Sequence, residues 1–166
     1  MRVPIRRGGK YTFLKPDPHL TQAKFDELSK KLTWLEKTAQ PKAIQEVSRL
    51  AEMGDFSENT AYQMAKGRLR GINQRILDLR DHLKQAVIID ATKKSDQVVL
   101  GSLVTLMING QQRIYQILGS AETDPAAGII SHNSPIGSAL LGHLVGDRLT
   151  IKLANQKLDC LIIKID

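Results

Sequence analysis

The chain has 166 residues, 42% of them apolar and 25% charged, a globular composition that excludes wholesale disorder. Its net charge of +7, from 24 Lys and Arg against 17 Asp and Glu, points to polyanions or acidic protein surfaces as partners. The longest mostly apolar run, Val98 to Ile108, is too short to span a membrane and is interrupted by Gly101, Ser102 and Thr105.

Residues 1–18 carry +4 of the charge and contain Gly8-Gly9, Pro16 and Pro18, which predicts a flexible basic leader. It reads either as a solubility tail or as a weak arm on RNA or DNA. No apolar stretch of the secretory type follows Arg2, Arg6 and Arg7. The single cysteine, Cys160, can form neither an internal disulfide nor a multi-cysteine metal site, and suits a reducing cytoplasmic setting.

From His19 to Ala86 the apolar period is helical. Leu28, Leu32, Leu35 and Ala39 lead to Pro41, a predicted kink or break, and the stripe resumes at Ile44, Val47, Leu50 and Met53. Leu69, Ile72, Ile76, Leu79, Leu83 and Ala86 then alternate in steps of three and four, the a/d seam of a heptad. Two such runs around Gly54-Asp55 predict an antiparallel coiled-coil hairpin over residues 19–88, with arms of about 45 to 50 Å. A rod of that length beside one small globule serves to reach something.

Between the arms lies Gly54-Asp55-Phe56-Ser57-Glu58-Asn59. Asp55 and Glu58 are three apart, so their carboxylates can converge where the second helix starts. The same spacing fits a capping box, which needs no function. Past this segment the second arm carries Lys66, Arg68, Arg70 and Arg75 with no acid from Asn59 to Leu77. The first arm offers Lys42 and Arg49, with Glu46 and Glu52 among them. A solvated face with partial pairing to Glu46 accounts for scattered cations. Four unpaired ones within roughly 15 to 30 Å of the acids suit a single-stranded RNA segment. Tyr62, one turn past Glu58, either packs the tip or touches nucleic acid.

From Val87 the period becomes that of strands. Gly101 to Ile108 and Arg113 to Leu118 flank Asn109-Gly110, a strong hairpin signal. Gly128 to Ser131, Leu149 to Leu153 and Leu158 to Ile165 are further strands, and Ser138 to Leu141 is a short helix. Residues 89–166 therefore form a small domain on an antiparallel sheet, and the fold class is α+β. His19, His132 and His143 lack metal-ligand spacing and read as surface or loop residues.

The stretch 54–59, with Ala61-Tyr62 and Lys66-Gly67-Arg68-Leu69-Arg70, resembles the GreA/GreB family of bacterial transcript-cleavage factors. So does Ile130-Ser131-His132-Asn133-Ser134-Pro135-Ile136, with Ala139-Leu140-Leu141 and Gly146-Asp147. The likeness spans about residues 20–166, and the Lys66 to Arg70 run is more similar to the GreB branch. It implies an FKBP-like C-terminal domain bound at the rim of the RNA polymerase secondary channel through Ser131, Asn133, Ser134 and Pro135. His132-Asn133 occupies the motif's variable pair. The resemblance further implies a coiled coil inserted into that channel, with Asp55 and Glu58 reaching the polymerase active site. There they would hold Mg²⁺ jointly with the polymerase and stimulate hydrolysis of backtracked nascent RNA, making the protein a helper of the polymerase and not itself an enzyme. Asp55 would be a ligand to the second Mg²⁺, and Glu58 a ligand or base for the attacking water. Arg49, Lys66, Arg68, Arg70 and Arg75 would guide the RNA, the protein acting as a monomer with no membrane partner.

Two carboxylates cannot build a two-metal nuclease alone but can complete one supplied by a partner. Three rivals make different expectations. An FKBP-type proline isomerase needs an aromatic-lined pocket, yet Tyr115 is the only aromatic after residue 90. A non-cleaving channel regulator predicts a lost or rearranged acidic pair. A generic RNA-binding coiled coil predicts salt-sensitive RNA binding without polymerase.

Overall fold

The computed structural model describes residues 16–53, 60–90, 95–152 and 157–166. The leader up to residue 15 and the segment 54–59, with Asp55 and Glu58, lie outside the described residues.

The first element is a strand, β1 (His19–Thr21), and not the helical start that the periodicity suggested. Thr21 ends it by capping α1 (Gln22–Trp34), its hydroxyl accepting from the Lys24 amide at 3.2 Å. Helical backbone then continues through a π turn at Leu35–Ala39 into α2 (Gln40–Glu52). Pro41 therefore causes no break. It has no N–H to give and its ring crowds the carbonyl four residues back, while the wider π turn lets the Gln40 amide reach Leu35 O instead. The extra residue shifts the helical phase of α2. The buried positions run Leu35, Ala43, Leu50, and Ile44, expected in the stripe, is 49% exposed.

The second arm, α3 (Thr60–Lys84), is 25 residues long, about 37 Å. The arms are antiparallel: Glu36 pairs with Arg80, Gln40 with Asn73 and Glu46 with Arg68. Ala65 and Ile76 are buried in the seam, whereas Leu69, Ile72, Leu79 and Leu83 are half-buried, because a two-helix pair covers only one side of each stripe.

β2 (Val87–Ile89) leaves α3 and pairs in parallel with β1, giving a two-stranded sheet at the root of the hairpin. It does not open the main sheet. That sheet holds β3 (Leu103–Ile108), β4 (Gln111–Leu118), β5 (Ile129–Ser131), β6 (Arg148–Lys152) and β7 (Lys157–Ile165) in the order β5-β4-β3-β7-β6. The β3–β4 hairpin turns on Asn109 and Gly110, both with positive φ (50° and 77°) as a two-residue turn requires. β4 and β5 pair in parallel, so the sheet is mixed, not purely antiparallel. A crossover through residues 119–128 makes that pairing possible, where a tight hairpin could not. α4 (Pro135–Leu140) starts three residues before the expected Ser138, because Ser134 caps it and Pro135 supplies a preset first φ. Val104, Leu106, Ile117, Leu140, Ile151 and Ile162 form the centre of the sheet-domain core. Among the described residues no helix is long and apolar enough to cross a membrane.

Candidate functional site

The acids singled out in the sequence fall between α2 and α3, at positions outside the described residues. Of the cations beyond them, Lys66 and Arg70 are four apart on one flank of α3, and Arg68 and Arg75, seven apart, occupy a roughly opposite flank. The four are thus two pairs and not one basic face. Arg68 is ion-paired to Glu46 at 2.9 Å. Lys66 stands over the Tyr62 ring, 5.4 Å from its centroid, so Tyr62 backs a cation. Arg75 lines a cleft near the root together with Lys31, Trp34 and Asp78. Arg49 is exposed on the last turn of α2. Among the described residues Arg49, Lys66, Arg70 and Arg75 form no ion pair.

The loop after β5 divides the remaining candidates. Ser131 is buried, its hydroxyl 2.8 Å from that of Ser120 and accepting from the Asn133 amide at 3.0 Å, so it builds the loop. Ser134 spends its hydroxyl on the Gly137 amide at 3.0 Å. Asn133 and Pro135 are exposed, Asn133 with its Nδ2 donating to Ser120 Oγ at 3.4 Å. Gly137 admits no side chain there: a Cβ would lie 2.2 Å from Ser131 O, which is how closely α4 packs on the loop.

A cluster that the sequence left scattered joins the two parts of the molecule. Asp17 Oδ1 accepts from the His19 amide at 3.1 Å and lies 2.9 Å from His19 Nδ1. Asp17 Oδ2 accepts from the Ser120 amide at 2.7 Å and lies 3.3 Å from His132 Nδ1. The Asp17 side chain is only 5% exposed. Burial works to raise its pKa, but hydrogen bonds from the Ser120 and His19 backbones and side chains outweigh that and hold it at about 2. Beside it, Glu122 accepts the Thr21 amide at 2.7 Å and the Thr21 hydroxyl at 2.6 Å, and His82 Nε2 meets Asp17 O at 2.9 Å. Asp17, read as the one acid of the leader, is thus a structural member of the root. His19 and His132 are likewise not free surface residues. They stand more than a hundred residues apart, and local spacing carries no signal of their meeting.

An antiparallel helical hairpin whose arms are joined by an acid-bearing segment, rooted on a small mixed-sheet domain, defines a two-part factor that holds a coiled coil away from a globular platform. The chain belongs to the GreA/GreB family of transcription elongation factors. Residues 19–88 match the domain described as "Transcription elongation factor, N-terminal" and residues 93–166 that described as "Transcription elongation factor, GreA/GreB, C-term". It is 37% identical over 149 residues to transcription elongation factor GreA of Nitratiruptor sp., covering 88% of this chain and 91% of that protein. It is 34% identical over 166 residues to GreA of Thermomicrobium roseum, covering 99% and 97%. Among solved structures it is similar to GreA factor homolog 1 (Gfh1) of Thermus thermophilus, at 30% identity and a TM-score of 0.41 over 89% of this chain and 97% of that one.

Proposed function

We propose that this elongation factor inserts its helical hairpin into the secondary channel of bacterial RNA polymerase and stimulates endonucleolytic cleavage of backtracked nascent RNA. The observation that carries the reading is the antiparallel hairpin: one arm runs out from the root, the other returns, and Asp55 and Glu58 fall in the sequence between them. An acidic pair at that place has no catalytic partners of its own and suits a site completed by another protein.

The donor set fits Mg²⁺ in part. Asp55 and Glu58 offer hard carboxylate oxygens, the ligands this cation prefers, but too few to hold it alone. Mg²⁺ shared with the polymerase would supply charge stabilisation for hydrolysis of the phosphodiester. Asp55 would be a ligand, and Glu58 a ligand or the base taking the proton of the attacking water. Lys66 and Arg70, with Arg49 and Arg68 nearby, hold the displaced RNA by its phosphates. Asn133 and Pro135 offer the sheet domain's contact to the channel rim.

The test is a stalled, backtracked complex of purified polymerase, given this protein and Mg²⁺ and followed by RNA shortening. Asp55→Asn is expected to abolish stimulation while retaining polymerase binding. Cleavage by that variant at the wild-type rate overturns the mechanism; wild-type binding without cleavage would identify a non-cleaving regulator instead.

A further inference from the structure

We infer that Asp17, His19 and His132 form a binding site for a divalent transition-metal ion of the zinc type, at the junction between the root of the hairpin and the sheet domain. The three side chains each bring one ligand atom to within 4.8 Å of the others, the only group of its kind among the described residues. Asp17 and His19 come from the segment entering the hairpin and His132 from the loop after β5, so an ion held by all three would bridge both parts of the chain.

The geometry is near that of a metal site before any metal enters. Bonds of roughly 2.0–2.2 Å to a tetrahedral ion set donor atoms about 3.2–3.6 Å apart. Here Asp17 Oδ1 lies 2.9 Å from His19 Nδ1, and Asp17 Oδ2 lies 3.3 Å from His132 Nδ1. One donor atom from each of the three residues falls within 4.8 Å of the others, so small side-chain adjustments would bring the set onto one ion. The site is also held in place by contacts that the metal would not replace. The Asp17 carboxylate is fixed by the Ser120 amide, and His19 lies so close to Gly119 that a Cβ there would stand 1.9 Å from His19 O. The rings meet edge to face at 5.2 Å, leaving both nitrogens on the Asp17 side. The side chains of His19 and His132 are 33% and 16% exposed, which provides an entry path and room for a water as fourth ligand.

Proton accounting is simple. A carboxylate or a carbonyl can only accept, so in the metal-free protein His19 Nδ1 carries its hydrogen toward Asp17, and His132 Nδ1 carries its own toward Leu118 O at 3.4 Å, beside Asp17. When the metal binds, each ring carries a hydrogen on Nε2 and gives its Nδ1 lone pair to the ion. Two imidazoles and one carboxylate suit Zn²⁺, Co²⁺ or Ni²⁺ and not Mg²⁺, which prefers an all-oxygen shell. The site is therefore chemically separate from the acids of the hairpin, and its test involves neither polymerase nor RNA.

The full chain is titrated with Zn²⁺ by calorimetry, with Co²⁺ by visible absorption, and by following the ring ¹⁵N signals of its four histidines. The expected result is one ion per chain and an intense low-symmetry Co²⁺ spectrum. The signals of His19 and His132 should move while those of His82 and His143 stay. His132→Gln and Asp17→Asn should each weaken binding at least tenfold. His143→Gln, which alters the exposed His143–Asp147 pair at 3.0 Å, should leave it unchanged. No stoichiometric binding, movement of the His82 or His143 signals instead, or loss of binding in His143→Gln would each overturn the inference. The ring signals are read on the unmodified protein, so the outcome holds even if Asp17→Asn folds poorly.

Discussion

Three donors converge on the Asp17 carboxylate, the His19 and Ser120 backbone amides and the His19 imidazole, and the His132 ring stands 3.3 Å away. Asp17→Ala removes the acceptor from all three donors, and is expected to lower unfolding stability by about 2–3 kcal/mol in urea. Gly119→Ala acts on the same junction by sterics, since the Cβ would be placed 1.9 Å from a backbone oxygen; a loss of about 1–3 kcal/mol is expected in the same measurement. The carboxylate also has a pH signature. Its pKa is depressed from 3.8 to about 2 in the folded protein, so its contribution is fully present above about pH 4 and is lost as pH falls toward 2. In chelator-containing buffer, the stability gap between wild type and Asp17→Asn should be about 1–2 kcal/mol at neutral pH and close across that window. None of this was legible in the sequence. Asp17 follows a basic, proline-flanked stretch and reads as leader, and only the return of the chain at Ser120 and His132 gives it its partners.

The helical arms were legible because their burial is periodic and local. The heptad through Ile76 survives as the seam, and Ile76→Ala, at a position 4% exposed, should cost about 2–4 kcal/mol. Its neighbour Leu77 is 53% exposed, and Leu77→Ala should change stability by no more than about 0.5 kcal/mol. Denaturant unfolding of both variants, read by the helical circular dichroism, checks the phase of the seam directly. What the period did not disclose was its change after Leu35. A helix containing Pro41 can break, kink or take a π turn, and sequence spacing does not choose among them. Packing against α3 does: Ala43 takes the buried side in place of Ile44, while Leu50, expected in the stripe, stays buried and Met53 is exposed. In the sheet domain, Asn109-Gly110 announced the β3–β4 hairpin by local turn chemistry. The parallel β4–β5 pair carries no such mark, since nothing at Gly128 specifies the strand it will join.

At the scale of the whole molecule, the net charge of +7 pointed toward a polyanion but not to where it would lie. The folded chain divides the cations of α3 between two flanks. One flank, with Lys66 backed by Tyr62 and Arg70 a turn further, has no ion pair among the described residues. On the other, Arg68 is engaged with Glu46 and Arg75 sits toward the root beside Lys31 and Trp34. Under the cleavage reading, an RNA segment near the acids meets the first flank with its charge available and must compete with Glu46 for Arg68. The double variant Lys66→Ala/Arg70→Ala should therefore raise the protein concentration needed for half-maximal cleavage, and more steeply at low salt. Two lost contacts to a single strand should flatten the logarithmic salt dependence by about 1.4, roughly 0.7 for each. Arg68→Ala should flatten it less, and Arg75→Ala not at all. On the same reading, polymerase contacts of the sheet domain would add equal salt dependence to every variant, so the difference between variants isolates the hairpin's share. Equal effects at all four positions would mean that the polyanion surrounds α3 and does not lie along one flank.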